Sequence, residues 1–463
     1  MTPELIVRGG VLVTAAGPRR ADFAVSGGRI SELADEILSP ARRELNASGL
    51  HVLPGVLDTH VHLNEPGRSD WEGFQTGTRA LAAGGATSFF DMPLNSSPPL
   101  LDRASFEAKR ELAAAGSLLD FGLWGGLTPL NLDRMDELAG AGVIGFKAFM
   151  SDSGLDEFPA VDDATLYEGL RSARRLGLPL ALHAESQPLT RHFVDQARRR
   201  ADRASRRGGY SVRDYLNTRP VLAELEAVQR ALLYAEELHA PLHLVHLSSG
   251  AAVRLVVQAR ARGVDVTCET CPHYLHFTDA DMEAVGAPLK CAPPLRPKAV
   301  QDELWAALNA GQIDTVGSDH SPAPPDLKTG LDFFAVWGGV SGAQSTLNVM
   351  LSAGHFGHGL PLEQIAALSA LNPARRFRLP QKAGFQVGAD ADFVLVDLER
   401  QFTLDHADLR DRWRQNPYVG THFRGQVKAT WSRGRMVYQD GRFNDAVRGQ
   451  LLTPAPPASS GAT

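Results

Sequence analysis

The sequence predicts an α/β fold: a (β/α)8 TIM barrel carrying a small β-sandwich domain built from both chain ends. Three observations carry that expectation. Between residues 54 and 384, short apolar β-rich runs alternate with longer stretches of helical periodicity, such as 105–115 and 223–238, the pattern of parallel βαβ units. Eight such runs occur, at 56–62, 86–92, 120–127, 144–149, 179–183, 242–247, 264–268 and 313–318. Eight units in roughly 330 residues suit a TIM barrel with insertions, which places its active site at the C-terminal ends of its strands. Finally, both chain ends have a strand, turn, strand texture. ELIVRGGVLVT and ADFAVSGGRISEL lie in residues 1–53, and ADFVLVDL, QVKATWSRG and RMVYQDGRF in residues 385–450. Residues 451–463, LLTPAPPASSGAT, read as a disordered or surface-draped tail.

Composition narrows the function. Hydrophobic residues make up 43% and charged residues 22% of 463, close to globular averages, so a disordered, collagen-like or coiled-coil chain is excluded. The net charge of −6 argues against a nucleic-acid partner and for a small-molecule substrate. Three cysteines cannot form a disulfide framework, and MTPELIVRGG has neither a basic n-region nor an apolar h-region, so a cytoplasmic protein is expected. No apolar run reaches the length of about 18 residues that a membrane span requires. There is no GxxxxGK[ST] phosphate loop and no GxSxG elbow, which removes P-loop nucleotide and acyl-serine mechanisms. The basic stretch in residues 191–219, with RRRADRASRRGG, reads as a solvated helix and loop without a site.

The chemistry is carried by the ends of the runs. Asp58-Thr59-His60-Val61-His62 closes the first, and strand alternation sends His60, His62 and Asn64 to one face with Val61 and Leu63 on the other. His183 in LALHAES, His246 in LHLVHLSS and Asp319 in TVGSDHSP end three further runs. A lone histidine is more often a core or surface residue, whereas recurrence at one end of a barrel points to metal ligands. Imidazole nitrogen and carboxylate oxygen suit borderline divalent ions, Zn2+ first, with Fe2+, Co2+ or Mn2+ as alternatives. Five ligands exceed what one catalytic zinc takes, so two cations are expected, and a pair roughly 3.5–4 Å apart needs a bridging anion. The candidate bridge is Lys147 in GFKAFM, the one lysine set inside an apolar strand run. On spacing alone two readings stand: an ammonium paired with an acid in the barrel mouth, or a neutral amine that captures CO2 as a carbamate and becomes a bridging carboxylate.

The stretch PGVLDTHVHLNEPGRSDWEGFQTGTRALAAGGATSFFDMPLNSSPP, followed by GFKAF, the run-end His183 and His246, ETCPHYL, KCAPPLRP, GSDHSP and a closing GADADFVLVD, resembles the cyclic amidohydrolases over essentially the whole chain. Among the dihydroorotases, dihydropyrimidinases or hydantoinases, and allantoinases of that superfamily, HLNEPGR and MPLNSSPP are most similar to the allantoinase branch. The resemblance implies that His60, His62, Lys147 and Asp319 hold one metal, and that Lys147, as N6-carboxylysine, with His183 and His246 holds the other, a hydroxide bridging the pair. It makes Asp319 the catalytic base and proton shuttle. It also implies substrate contacts through backbone groups at Ala292, Ser341 and Gly342; from position alone, Asn64 beside the histidines reads as a substrate donor or equally as a satisfied loop amide, Asn95 in NSSPP as turn chemistry before a substrate contact, and His320 after the aspartate as a residue of the pocket rim. The implied reaction is hydrolysis of the hydantoin ring amide of allantoin to allantoate, a step of purine degradation, in a homotetramer. A dihydropyrimidinase/hydantoinase or a dihydroorotase is the alternative on the same site.

Three positions discriminate within the superfamily. Hydantoinases carry a tyrosine five residues after the carboxylated lysine, and here that residue is Asp152. Dihydroorotases carry an arginine two residues after the second histidine and an asparagine after the next Met-Pro, and here those residues are Asn64 and Leu94, with Arg68 four residues further on. Members that have lost their ligands serve as structural or assembly proteins, whereas all six ligand positions are filled in this chain. Cys268 and Cys271 spell CxxC, but without a second pair or a suitably spaced HxxxH an apolar role is expected; His273 in CPHYL is expected to be structural.

Overall fold

The computed structural model describes residues 2–203 and 209–456. Both chain ends enter one mixed sheet of nine strands. Its N-terminal strands are β1 (Leu5–Thr14), β2 (Gly17–Ser26), β3 (Arg29–Ala34), β4 (Glu44–Asn46) and β5 (His51–Pro54). Next come the barrel strands: β6 (Val56–Val61), β7 (Ala86–Asp91), β8 (Asp120–Leu123), β9 (Gly125–Gly126), β10 (Phe146–Phe149), β11 (Leu180–His183), β12 (Leu242–Leu244), β13 (Val266–Thr270) and β14 (Thr315–Val316). The C-terminal strands of the mixed sheet are β15 (Phe393–Thr403), β16 (His422–Ser432), β17 (Arg435–Gln439) and β18 (Arg442–Phe443). The mixed sheet runs β18-β17-β16-β15-β5-β1-β2-β3, with β4 beside β1. Strand β5 pairs antiparallel with β15, Val52 opposite Leu395, so the two ends are hydrogen-bonded to each other. Register shifts between Val7 and Gly10 and between Leu395 and Val396 are bulges that bend their strands. The sheet closes around one apolar cluster drawn from both ends, including Phe23, Val52, Phe393 and Trp431. This is the small sandwich domain.

The barrel strands are parallel and fully buried or nearly so, which is why they read as apolar runs rather than as alternating ones. Strands β6-β7-β8 form one arc and β9 to β14 the other. β8 and β9 are two parts of the third barrel strand, interrupted at Trp124, whose Nε1 donates to the Thr59 carbonyl across the interior at 3.1 Å. Closure comes at the seam between first and last strands, where Val61 bridges His320 and the His62 amide donates to the His320 carbonyl at 2.7 Å. Just past the short last strand the chain runs close beneath the strand ends at Gly317. A Cβ there would lie 2.7 Å from Glu269 Oε2 and 3.0 Å from the Cβ of His60. Helices alternate with the strands as expected; Arg103–Gly116, for instance, starts at a capping box in which Asp102 accepts from the Ser105 amide at 2.8 Å.

Barrel and sandwich are joined by a buried charge cluster. Lys382 Nζ lies 2.7 Å from Asp120 Oδ2 at the start of β8, and 3.0 and 2.7 Å from Asp390 and Asp392 before β15. Arg433 adds a second cation 3.1 Å from Asp120 Oδ1. The three carboxylates could in principle hold a cation, but the lysine already occupies their centre. Removing that lysine strands three buried carboxylates, so Lys382→Met is expected to cost about 3–5 kcal/mol. A clear fall in the thermal-unfolding midpoint checks it, against no change for Lys298→Met, whose pair with Asp302 is exposed. An unchanged midpoint in Lys382→Met would overturn it.

Past β18 the chain returns to the barrel. Leu451 bridges Phe121, Leu452 is buried, and the Ala455 amide donates to the Arg378 carbonyl, so residues 451–456 are laid along the barrel. The rest of the expected tail, residues 457–463, lies outside the described residues, as do residues 204–208 of the basic stretch.

Candidate metal centre and active site

The strand ends converge on a cavity of about 490 Å3. His60, His62, His183, His246 and Asp319 border it, together with Asn95 and Ala292. Two sets of donor atoms form its floor. In the first, Asp319 Oδ1 lies 3.2 Å from His60 Nε2 and 3.3 Å from His62 Nε2. In the second, His183 Nδ1 and His246 Nε2 are 3.1 Å apart. The His60 ring centroid is 5.4 Å from those of both His62 and His246, so the two sets adjoin.

Buried partners fix the orientation of three imidazoles. His60 Nδ1 is 2.8 Å from Glu269 Oε1, and His62 Nδ1 is 2.7 Å from the Leu94 carbonyl. His183 Nε2 is 2.9 Å from Glu185 Oε2, which also receives Arg219. Each acceptor takes the proton on the outer nitrogen, leaving a lone pair on the inner one, the arrangement typical of metal-ligating histidines. Burial would raise the Glu269 carboxyl, but His60 beside it holds it well below the usual range. Burial likewise opposes ionisation of Glu185, yet Arg219 and His183 bring it down to about 2. Burial would raise Asp319 too, and the neighbouring histidines keep it well below the usual range. The imidazoles of His60, His183 and His246 are pushed down by burial, toward the neutral form that binds metal.

Lys147 projects from β10 into this setting. Its Nζ is buried and has no hydrogen-bond partner among the described residues, and burial lowers it to about 8. Its charge acts on His60, His183, His246 and Asp319, residues of both donor sets. Burial alone does not single Lys147 out, contrary to the impression left by sequence context. Lys109 is as buried, but it pairs with Asp91 at 2.8 Å; Lys290, Lys328 and Lys382 are each spent on carbonyls or carboxylates. Lys147 differs in being partnerless. That orphaned amine, amid imidazoles whose lone pairs face inward, fits a bridged metal pair.

Three expected substrate contacts, Asn64, Ser341 and Gly342, are absent from the cavity lining. The strand ends at Val61, and Asn64 adopts φ 66°, which turns its amide aside to donate to the Pro322 carbonyl at 3.2 Å and accept from Asn95 at 3.2 Å. Ser341 is buried outside the cavity lining. His320 also faces away, toward Glu72 at 3.7 Å, instead of reaching the rim. Arg68 is committed to the Asn95 carbonyl at 2.6 Å and to Glu157 at 2.8 Å. The three cysteines are free and buried, and His273 is buried as well. The basic stretch, read as siteless, supplies Arg198 and Arg219 to the cavity wall, whose other lining residues include Asp152. His246 and Asp319 share with Asn64 a left-handed backbone, φ 41° and 45°, a strain that clusters at functional sites.

A barrel with imidazoles and a carboxylate gathered at one end, beneath a solvent-accessible cavity, defines a metal-dependent hydrolase of the amidohydrolase kind. The chain belongs to the amidohydrolase family, whose model matches residues 51–437. It is 65% identical, over 98% of its length and 99% of the relative's, to a protein of Deinococcus radiodurans named allantoinase. A second so named, from Solibacter usitatus, is 53% identical over 97% of each chain. Among solved structures, L-hydantoinase (dihydropyrimidinase) from Arthrobacter aurescens superposes with a TM-score of 0.93 at 32% identity, covering 98% of this chain and all of that one. No helix of the described residues is long and apolar enough to cross a membrane.

Proposed function

We propose that this chain is an allantoinase, opening the hydantoin ring of allantoin to allantoate, and that it does so with two divalent cations. The observation that carries the substrate is the near full-length identity to proteins named allantoinase. The observation that supports the chemistry is the orphaned, buried Lys147, whose charge acts on residues of both donor sets. His60, His62 and Asp319 would hold one cation, His183 and His246 the other, with Lys147 as N6-carboxylysine shared by both. Zn2+ suits these ligands best, and Fe2+, Co2+ or Mn2+ are compatible. Such cations bring a water's pKa to around neutrality and polarise a carbonyl.

The protein's own contribution is placement and proton transfer. The substrate carbonyl lies over the donor sets while Asn95 and the backbone at Ala292 border the ring. Asp319 accepts the proton of the attacking water and delivers it to the ring nitrogen as the carbon–nitrogen bond breaks, so that water's oxygen ends in the new carboxylate. Its left-handed backbone turns the carboxylate back over the strand end, against both His60 and His62. A cytoplasmic homotetramer accompanies this reading; the family resemblance supports the assembly, and three free, buried thiols support the compartment.

The fold match to a hydantoinase keeps a second reading in play, activity on plain hydantoins or dihydropyrimidines. Asp152, where those enzymes have a tyrosine, argues against it. Dihydroorotate would need its carboxylate gripped; at the position where dihydroorotases carry arginine, Asn64 is neutral and spent, Arg68 is tied to Asn95 and Glu157, and of the two arginines on the cavity wall Arg219 is paired with Glu185. Purified, metal-analysed protein assayed on allantoin, dihydroorotate, hydantoin and dihydrouracil decides. A kcat/KM for allantoin at least about a hundredfold above that for dihydroorotate is expected, which needs about 2.7 kcal/mol of differential transition-state binding. Preference for any of the other three would overturn the substrate and leave the metal site standing.

A further inference from the structure

We infer that Lys290 is a positioning residue that sets the width of the substrate cavity by holding one of its walls; the inference rests on the proposed function only for the substrates used to test it. That wall is irregular chain. Residues 334–339 border the cavity and belong to no helix or strand. They are held by side chains elsewhere in the chain. Lys290, in KCAPPLRP and itself on the cavity lining, holds them: the Nζ donates to the carbonyls of Phe333 at 2.7 Å, Phe334 at 3.1 Å and Val336. An ammonium has three N–H donors, and all three are spent on one short stretch of backbone. The Lys290 carbonyl in turn accepts from the Gly339 amide at 2.7 Å, and Lys328 Nζ donates to the Gly339 carbonyl at 2.5 Å. Two lysines thus grip both ends of the wall.

The grip is tight and electrostatically expensive. Gly339 has φ +135°, and a Cβ there would meet the Ser321 carbonyl oxygen at 2.2 Å, so the wall approaches the strand-end loop as closely as glycine allows. Trp337, within the wall, rests edge-on against Trp71 of the facing loop, centroids 4.9 Å apart. Lys290 is 5% exposed and sits against the rings of Tyr215 and Phe333, at 4.9 and 5.4 Å, with no carboxylate in ion-pair reach among the described residues. Burial, with Arg219 repelling, lowers its ammonium to about 8. A buried cation without a counter-charge is a poor stabiliser compared with an apolar side chain of the same length. What it does provide is a defined path for the chain that faces the substrate.

Lys290→Met keeps the length and deletes the donors. It is expected to retain wild-type metal and a kcat within about threefold, while KM for allantoin rises at least about tenfold and KM for hydantoin, which lacks the exocyclic ureido arm, rises less. Lys290→Gln, with two N–H donors, should fall between. Unchanged KM values, or a parallel loss of kcat and metal, would overturn the inference, as would failure of both variants to fold, which marks a purely structural lysine. Wild-type protein that leaves allantoin intact in the same assay rejects the substrate instead, and the KM-against-kcat split is then read on the cyclic amide that it does open.

Discussion

Lys147→Ala is expected to lose its metal and its activity together, with turnover down by at least about three orders of magnitude, some 4 kcal/mol of transition-state stabilisation. The residue lies in strand β10, fully buried and with no hydrogen-bond partner, so truncation opens a space in the barrel mouth and takes away the one lysine among the described residues placed to join the donor sets. Two cations would lose the shared carboxylate that Lys147 would supply, and the five remaining ligands would not make up for it. Metal per chain, measured alongside turnover, checks the expectation. Small carboxylic acids added to the variant should restore part of both, because they supply the missing oxygens. A Lys147→Ala protein with two metals and near-normal turnover would sink the carbamate reading.

Asp319→Asn separates holding from proton transfer. Asparagine keeps an oxygen facing His60 and His62 and tolerates the left-handed φ of 45° at this position, so the fold and much of the metal should persist. It cannot take a proton. Turnover per bound metal should therefore fall by roughly 10²–10⁴, the range of general acid–base catalysis. If the loss disappears once activity is normalised to metal content, Asp319 is a ligand and nothing more.

The barrel strands were legible because a buried parallel strand is an apolar run, and all eight runs became strands. The paired histidines were legible because alternation survives to the end of β6. Reasoning failed one step later: carried past Val61 to Asn64, alternation pointed at the cavity an amide whose backbone had already turned left-handed. Glu269 and Glu185, which orient His60 and His183, were in plain view inside ETCPHYL and LALHAES. For Glu269 a carboxylate inside a buried strand was the signal, but it meets His60 across 209 residues, and no local pattern encodes that distance; Glu185 lies two residues past the end of β11. Arg219 was hidden for the opposite reason, since the arginine-rich stretch before it resembles a solvated surface. Lys290 had a motif but no visible partner, because its partners are carbonyls, which every residue has.

The barrel's seam gives the donor set a topological meaning. His60 and His62 belong to the first barrel strand and Asp319 follows the last, about 260 residues later, at the point where Val61 bridges His320 and the ring of strands shuts. A cation gripped by those three side chains would act as a clasp across the one join that chain connectivity does not secure. Closing so long a loop is entropically costly for the unfolded chain, though the cost grows only slowly with length. Cation occupancy at this position would therefore be a property of the completed ring, unattainable for any half of it. A nascent or truncated barrel has the histidines without the aspartate, and it would compete poorly for metal until its final strand has docked.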